Sequence, residues 1–301
     1  MLKKISFTKS FILSGAFLAI ILFVSGCKDA KKNDVTGAHK FQISRDERMW
    51  MEKFFCEIML EEDCIYTLWG TKPMTQITLF HFTDEEMQAS IDQMTEEELA
   101  NAHHRITPYD LPANWENWEK VASKYPTPKF LFFSKPREAG SHSQNIYFVN
   151  ILQAALVIQE NYAIFRQYMK SDFSSLEVIF DIRINESPFW NEVFHNSALL
   201  GILFGYGVQN SFCFKWKYGL EPNENMKLQE FQHTLHGRFV ENSNDYSVPT
   251  INHFILPIFA SFTAEGKDEV VEQYKREREE IKKNYKGKDF LDLTLERLTS
   301  D

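Results

Sequence analysis

The sequence predicts an α+β fold: a helix-rich single globular domain with several short strands, preceded by a cleaved N-terminal signal. Three observations predict it. Helix starts are marked by capping residues, short apolar runs of β-forming residues fall between them, and no internal repeat, low-complexity tract or Pro/Gly linker divides the body from Phe41 onward. The chain has 27 phenylalanines in 301 residues, 23 of them from Phe41 onward, which gives that body ample apolar surface for a well-filled core and for an apolar groove.

The N-terminal element is a signal. Lys3, Lys4 and Lys9 precede an apolar run of fourteen residues, Phe11 to Val24. A helix crossing a bilayer core needs about 20 residues, so the run is short for a permanent span and fits a signal h-region. Small Ser25 and Gly26 follow, then Cys27, giving "VSGC". This resembles the bacterial lipoprotein lipobox, with Val24 where that family favours Leu. The resemblance implies cleavage before Cys27, a diacylglycerol thioether on its sulfur and membrane attachment through the lipid. It also implies an outer-membrane destination, because Lys28, rather than Asp, follows the cysteine. Residues 1–26 are thus expected to be signal peptide, 27–40 a lipidated cysteine with a flexible polar tether, and 41–301 the globular domain. The lysines of the tether, Lys28, Lys31 and Lys32, are either solvated or rest on anionic headgroups.

Cleavage would remove three lysines and no carboxylate, moving the formal charge from −9 to −12. An acidic chain repels phosphate backbones, so no nucleic acid is expected as a partner. The expected partners are the membrane, through the lipid, and another envelope protein.

Within the body, Ser44 with Glu47, Thr83 with Glu86 and Thr95 with Glu98 have capping-box spacing and open helices over about 45–60, 84–94 and 96–104. Ser187 before Pro188 opens another, apolar nearly all round and therefore buried. The expected strands are "CIYTLW" (64–69), "QITLFHF" (76–82), "KFLFF" (129–133), "NIYFV" (145–149), "SFCFKW" (211–216) and "HFILPIF" (253–259), with the first two paired as a hairpin across "GTKPMT". The C-terminal stretch reads as a charged helix broken near Gly287, then a short amphipathic one. Its narrow stripe of Val271, Tyr274, Ile281 and Tyr285 either packs on the body or forms a coiled-coil seam with a partner.

Two segments, "YTLWGTKPMT" (66–75) and "LLGILFGYGVQNS" (199–211), resemble uncharacterised lipoproteins of obligate intracellular bacteria; the resemblance implies no activity.

Motifs for chemistry are sparse. Gly205 and Gly207 follow a helix instead of a strand, and Asn210 holds the place of a third glycine. They are read as a structural turn, the alternative being a loop whose amides face a small polar ligand. His233 and His236 are three apart and share a face with Glu230 if that stretch is helical. Zinc would need a third ligand from afar, His253 or Asp245 for instance, so no metal is assigned and these histidines remain the alternative, an envelope metal-dependent hydrolase. Cys56 and Cys64 are candidates for a disulfide in an oxidising compartment, with Cys213 left as a small buried apolar residue. No nucleophile elbow, Walker loop or C-x-x-C pair is present, and no cofactor is expected. The sequence thus favours binding or scaffolding at a membrane over catalysis.

Overall fold

The computed structural model describes residues 41–93, 95, 111–135, 141–184, 186–218, 233–237, 250–262 and 267–300. It has the α+β architecture expected, helix-rich around a small antiparallel sheet. Helix α1, Arg45–Cys56, starts where Ser44 Oγ accepts the Glu47 N–H at 3.2 Å. It continues as a π-helical turn, Glu57–Glu61, and buries Met51, Phe54 and Phe55. Helix α2, Cys64–Trp69, follows directly.

Strand β1 is Met74–Phe80. Helix α3, Asp84–Ile91, opens with the reciprocal capping box: the Thr83 N–H donates to Glu86 and the Glu86 N–H donates to Thr83 Oγ1. Then come α4 (Leu111–Val121), β2 (Phe130–Ser134), β3 (Ser143–Asn150), α5 (Ile151–Glu160), α6 (Tyr162–Tyr168) and α7 (Glu177–Phe180), the last extended by a 3-10 turn, Asp181–Arg183. Helices α8 (Pro188–His195) and α9 (Ser197–Leu203) are separate because Asn196 is extended and caps α9 through the Ala198 N–H. Helix α10 is Val208–Tyr218, strands β4 and β5 are Thr234–Leu235 and Ala260–Ser261, and α11 (Glu269–Tyr285) and α12 (Phe290–Thr299) end the chain.

Three expected strands are found, in the order β1-β3-β2. The hairpin across "GTKPMT" is not formed, because "CIYTLW" is helix α2 and β1 pairs instead with β3. "SFCFKW" lies within helix α10, and "HFILPIF" is irregular apart from an isolated bridge between Thr250 and His253, with β5 beginning just after it. In α2, residues Cys64 to Leu68 are all buried, so tertiary packing on every side overrides the β preference of Ile65, Tyr66 and Thr67. The helix expected over 96–104 lies outside the described residues.

The sheet separates two cores by simple alternation. Ile77, Leu79, Phe130, Ile146 and Phe148 face a cluster built with α1, α2, α4, α11 and α12. Met74, Leu131, Tyr147 and Val149 face a second cluster built with α5 to α9. The C-terminal stripe packs on the body: Val271, Tyr274, Ile281 and Tyr285 are buried in the first cluster. Arg48 anchors α12 by reaching Asp289 at 2.7 Å and Asp292 at 2.9 Å.

Gly205, Gly207 and Gly287 have φ of +79°, +79° and +72°, in the left-handed region that favours glycine. They differ in surroundings. A Cβ on Gly205 would run into the Tyr274 hydroxyl and lie 3.1 Å from Pro73 Cδ, whereas one on Gly287 would meet nothing within 4 Å. Gly287→Ala should therefore cost about 1 kcal/mol from backbone strain. Gly205→Ala adds overpacking and should cost about 2–4 kcal/mol. Urea unfolding followed by circular dichroism measures both, and equal losses would contradict the close packing of this turn.

Candidate functional site

Among the described residues, an opening with both apolar walls and charges lies beside strand β2. Trp115 and Trp118 project from one face of α4, three residues apart, onto Phe132, with ring centroids at 5.0 and 5.8 Å. With Phe133, Lys135 and Arg183 they line a hollow of about 430 Å³. That is within the range of natural ligand pockets. Glu119 also lies here and accepts the Ser134 hydroxyl at 3.1 Å.

The two cations of the hollow are held by rings. Lys135 Nζ lies 4.1 Å from the Phe194 ring centroid and the Arg183 guanidinium 5.2 Å from that of Phe133. Neither forms an ion pair with a described carboxylate. Burial without an opposing charge lowers the Lys135 pKa below the ordinary lysine value. The Trp115 indole N–H is buried with no acceptor among the described residues, an unsatisfied donor of a kind that costs about 1–3 kcal/mol.

The hollow also flanks a sheet edge. The Lys135 N–H donates to Asn145 O at 2.9 Å and the Ile151 N–H to Lys129 O at 3.0 Å. Antiparallel pairing alternates, so Leu131, Phe133 and Lys135 turn their backbone groups toward β3 while Phe132 and Ser134 turn theirs to the open edge. No backbone partner for Phe132 or Ser134 exists among the described residues.

A second constellation is closed to solvent. Asp63 adopts the left-handed conformation (φ 53°) at the start of α2. Its Oδ2 accepts the Ile258 N–H at 3.3 Å, and its Oδ1 faces Lys72 Nζ at 3.4 Å, an ion contact without hydrogen-bond geometry. The side chains are only 2% (Lys72) and 9% (Asp63) exposed. Lys72 also donates to Phe204 O at 3.3 Å and lies 5.3 Å from the Tyr206 ring centroid. Burial first, then the nearby Asp63 charge, raises the Tyr206 phenol pKa. Buried and bonded to the Phe204 carbonyl and the Ile258 N–H, this group ties the elements around it together.

The residues singled out by sequence are scattered. Gly205 and Gly207 turn the chain from α9 into α10, and Gly205 O accepts the Tyr274 hydroxyl at 2.9 Å. Asn210 is buried, donating to Asp268 Oδ2 at 3.0 Å and accepting the Phe262 N–H at 2.9 Å; Asp268 in turn caps α11. These contacts are those of a structural turn. His233 and His236 flank the two residues of β4 and do not share a helical face. His233 sits 2.7 Å from Lys217 Nζ and 3.1 Å from the Tyr218 hydroxyl, and His236 2.9 Å from Ser261 Oγ. No group of three His, Cys, Asp or Glu suited to a metal is found among the described residues; Glu230 and Asp245 lie outside them. No disulfide joins Cys56 to Cys64 among the described residues, and none engages Cys213. Cys64 lies in a helix instead of at a strand start, wholly buried and hydrogen-bonded to Thr75, and burial followed by the charge of Asp63 raises its pKa well above the usual thiol value. Cys27 lies outside the described residues.

No protein-family model, no curated protein and no solved structure matches this chain. The hollow is absent from the sequence-based expectations because its parts come from α4, β2 and the turn after α7. Its one local signal was the tryptophan pair in "NWENW".

Removing one partner of a buried ion pair leaves the other charge uncompensated. Lys72→Met should cost about 3–5 kcal/mol, whereas Lys283→Met, at an exposed and solvent-screened pair, should leave the unfolding midpoint nearly unchanged. The Lys72→Met/Asp63→Asn double variant should lose less than the sum of its single variants. Additive losses in urea unfolding would show that Lys72 and Asp63 do not act on each other.

Proposed function

We propose that this chain is a lipid-anchored protein of the bacterial envelope whose globular domain binds or scaffolds a partner. The observation that carries the anchor is "VSGC" at the end of a fourteen-residue apolar run with a basic start. A thiolate is the nucleophile required for the thioether, and small residues before it leave the backbone open to a peptidase. Two or three acyl chains, at about 0.8 kcal/mol per buried methylene, then hold the protein stably. Lys28 after the cysteine favours the outer membrane.

Two surface features support binding. One is the hollow at the β2 edge. The other is a set of exposed large apolar side chains, Leu152 and Leu156 on α5 and Leu176, Phe180 and Ile184 around the neighbouring α7. Grouped exposed apolar surface of this kind marks interaction sites. The metal-dependent alternative at His233 and His236 gains no third ligand from the described residues.

Cys27→Ser removes the acceptor of the lipid and leaves the apolar run intact. The variant should fail to incorporate labelled palmitate and should retain its signal, read as an uncleaved mass by mass spectrometry. Normal processing with unchanged mass would overturn the anchor. Simple membrane fractionation does not discriminate, because an uncleaved signal also holds the chain at a membrane.

A further inference from the structure

We propose that the hollow beside β2 takes an extended acidic peptide from a partner protein, which adds to the sheet as a fourth strand. This deepens the binding reading above and is independent of the lipid anchor. Three observations carry it.

The first is the open edge. The backbone N–H and C=O groups of Phe132 and Ser134 face away from β3 without partners among the described residues, which is the template that strand addition uses. Pairing is confined to this short stretch, because the Phe130 N–H already donates to Thr127 O and Phe130 O accepts the Thr127 hydroxyl. The second is room: an edge needs space for the incoming chain, and the hollow opens along Phe132 to Lys135. The third is charge. Lys135 and Arg183 line the hollow with rings against them and no described carboxylate paired to either.

The pleat of β2 then divides the chemistry in two. Phe132 belongs to the face that packs with Trp115 and Trp118, while Phe133, with Arg183 over it, and Lys135 belong to the other face, toward Tyr147 and Phe194. Side chains of an added strand alternate between those faces. One set would meet aromatic walls and the other two cations. The partner segment is therefore an alternation of apolar and acidic residues. Backbone pairing supplies affinity without sequence, and the alternation supplies the choice of partner.

The test uses the full chain in a non-ionic detergent and a fluorescein-labelled probe, Thr-Val-Glu-Val-Glu-Val-Thr amide, read by fluorescence anisotropy. The expected result is saturable binding, weakened about tenfold or more when both glutamates become lysine. The Lys135→Glu/Arg183→Glu variant should reverse that preference and bind the lysine probe, which a misfolded protein would not do. Two further probes carry N-methyl groups on either the valine or the glutamate amides. Alternate amides point to opposite edges, so one N-methylated probe should lose binding about tenfold or more and the other should retain it. No saturable binding of the glutamate probe would overturn the proposal. Saturable binding equally insensitive to both methylations would overturn strand addition while leaving a binding protein. Palmitate incorporation into the same chain decides the anchor separately.

Discussion

Strand β3 is paired along both of its edges and packed on both of its faces. Its even-numbered residues Ile146 and Phe148 enter one core, and Tyr147 and Val149 enter the other. Its backbone groups alternate in the same rhythm, with the Asn150 N–H reaching Pro73 O and Asn145 O accepting the Lys135 N–H. A shift of one residue would exchange the two cores, so register is fixed by burial on both sides. With helices over both faces, the sheet keeps its edges as its exposed backbone. On β2 that edge coincides with two tryptophans from α4 and two cations, which is what places the proposed strand-addition site there.

The two cores must also be held in relation to each other. Lys72 and Asp63 do this at the corner between α2 and β1, since Lys72 reaches the Phe204 carbonyl at the end of α9 while Asp63 receives the Ile258 N–H. A buried ion pair is weak evidence for stability, because desolvation offsets its attraction. Its effect here is positional. The left-handed Asp63 backbone costs about 1–2 kcal/mol, and it is retained where the carboxylate meets both a backbone amide and an ammonium. The Gly205 turn closes against the same corner through the Tyr274 hydroxyl, so the left-handed glycine and the left-handed aspartate support one junction.

Much of the fold was legible where local signals act alone. Ser44, Thr83 and Ser187 cap helices as their side chains dictate, "NIYFV" forms a strand buried on both faces, and "KFLFF" pairs along it. "CIYTLW" was misread because β-branched and aromatic residues within a buried helix look like a strand in sequence, and "SFCFKW" because its run of aromatic residues, in the half-exposed α10, looks the same. Cys64 shows the consequence, since its place in α2 turns it toward Thr75. The left-handed glycines were legible because a turn after a helix requires them. The hollow beside β2 was not, as Trp118, Phe132 and Arg183 meet only through the tertiary fold. Asp63 and Lys72 gave no signal either, because burial of a charged pair is a property of the packing around it and not of the residues themselves.

Hydrogen exchange along β2, resolved by NMR on the full chain, tests the open edge most directly. The amides of Leu131, Phe133 and Lys135 should be strongly protected by β3, while those of Phe132 and Ser134 should exchange orders of magnitude faster. Addition of the glutamate probe should slow these two and leave the other three unchanged. Equal protection of all five amides in the free protein would show that the edge is already covered, and the account of this site would then be wrong.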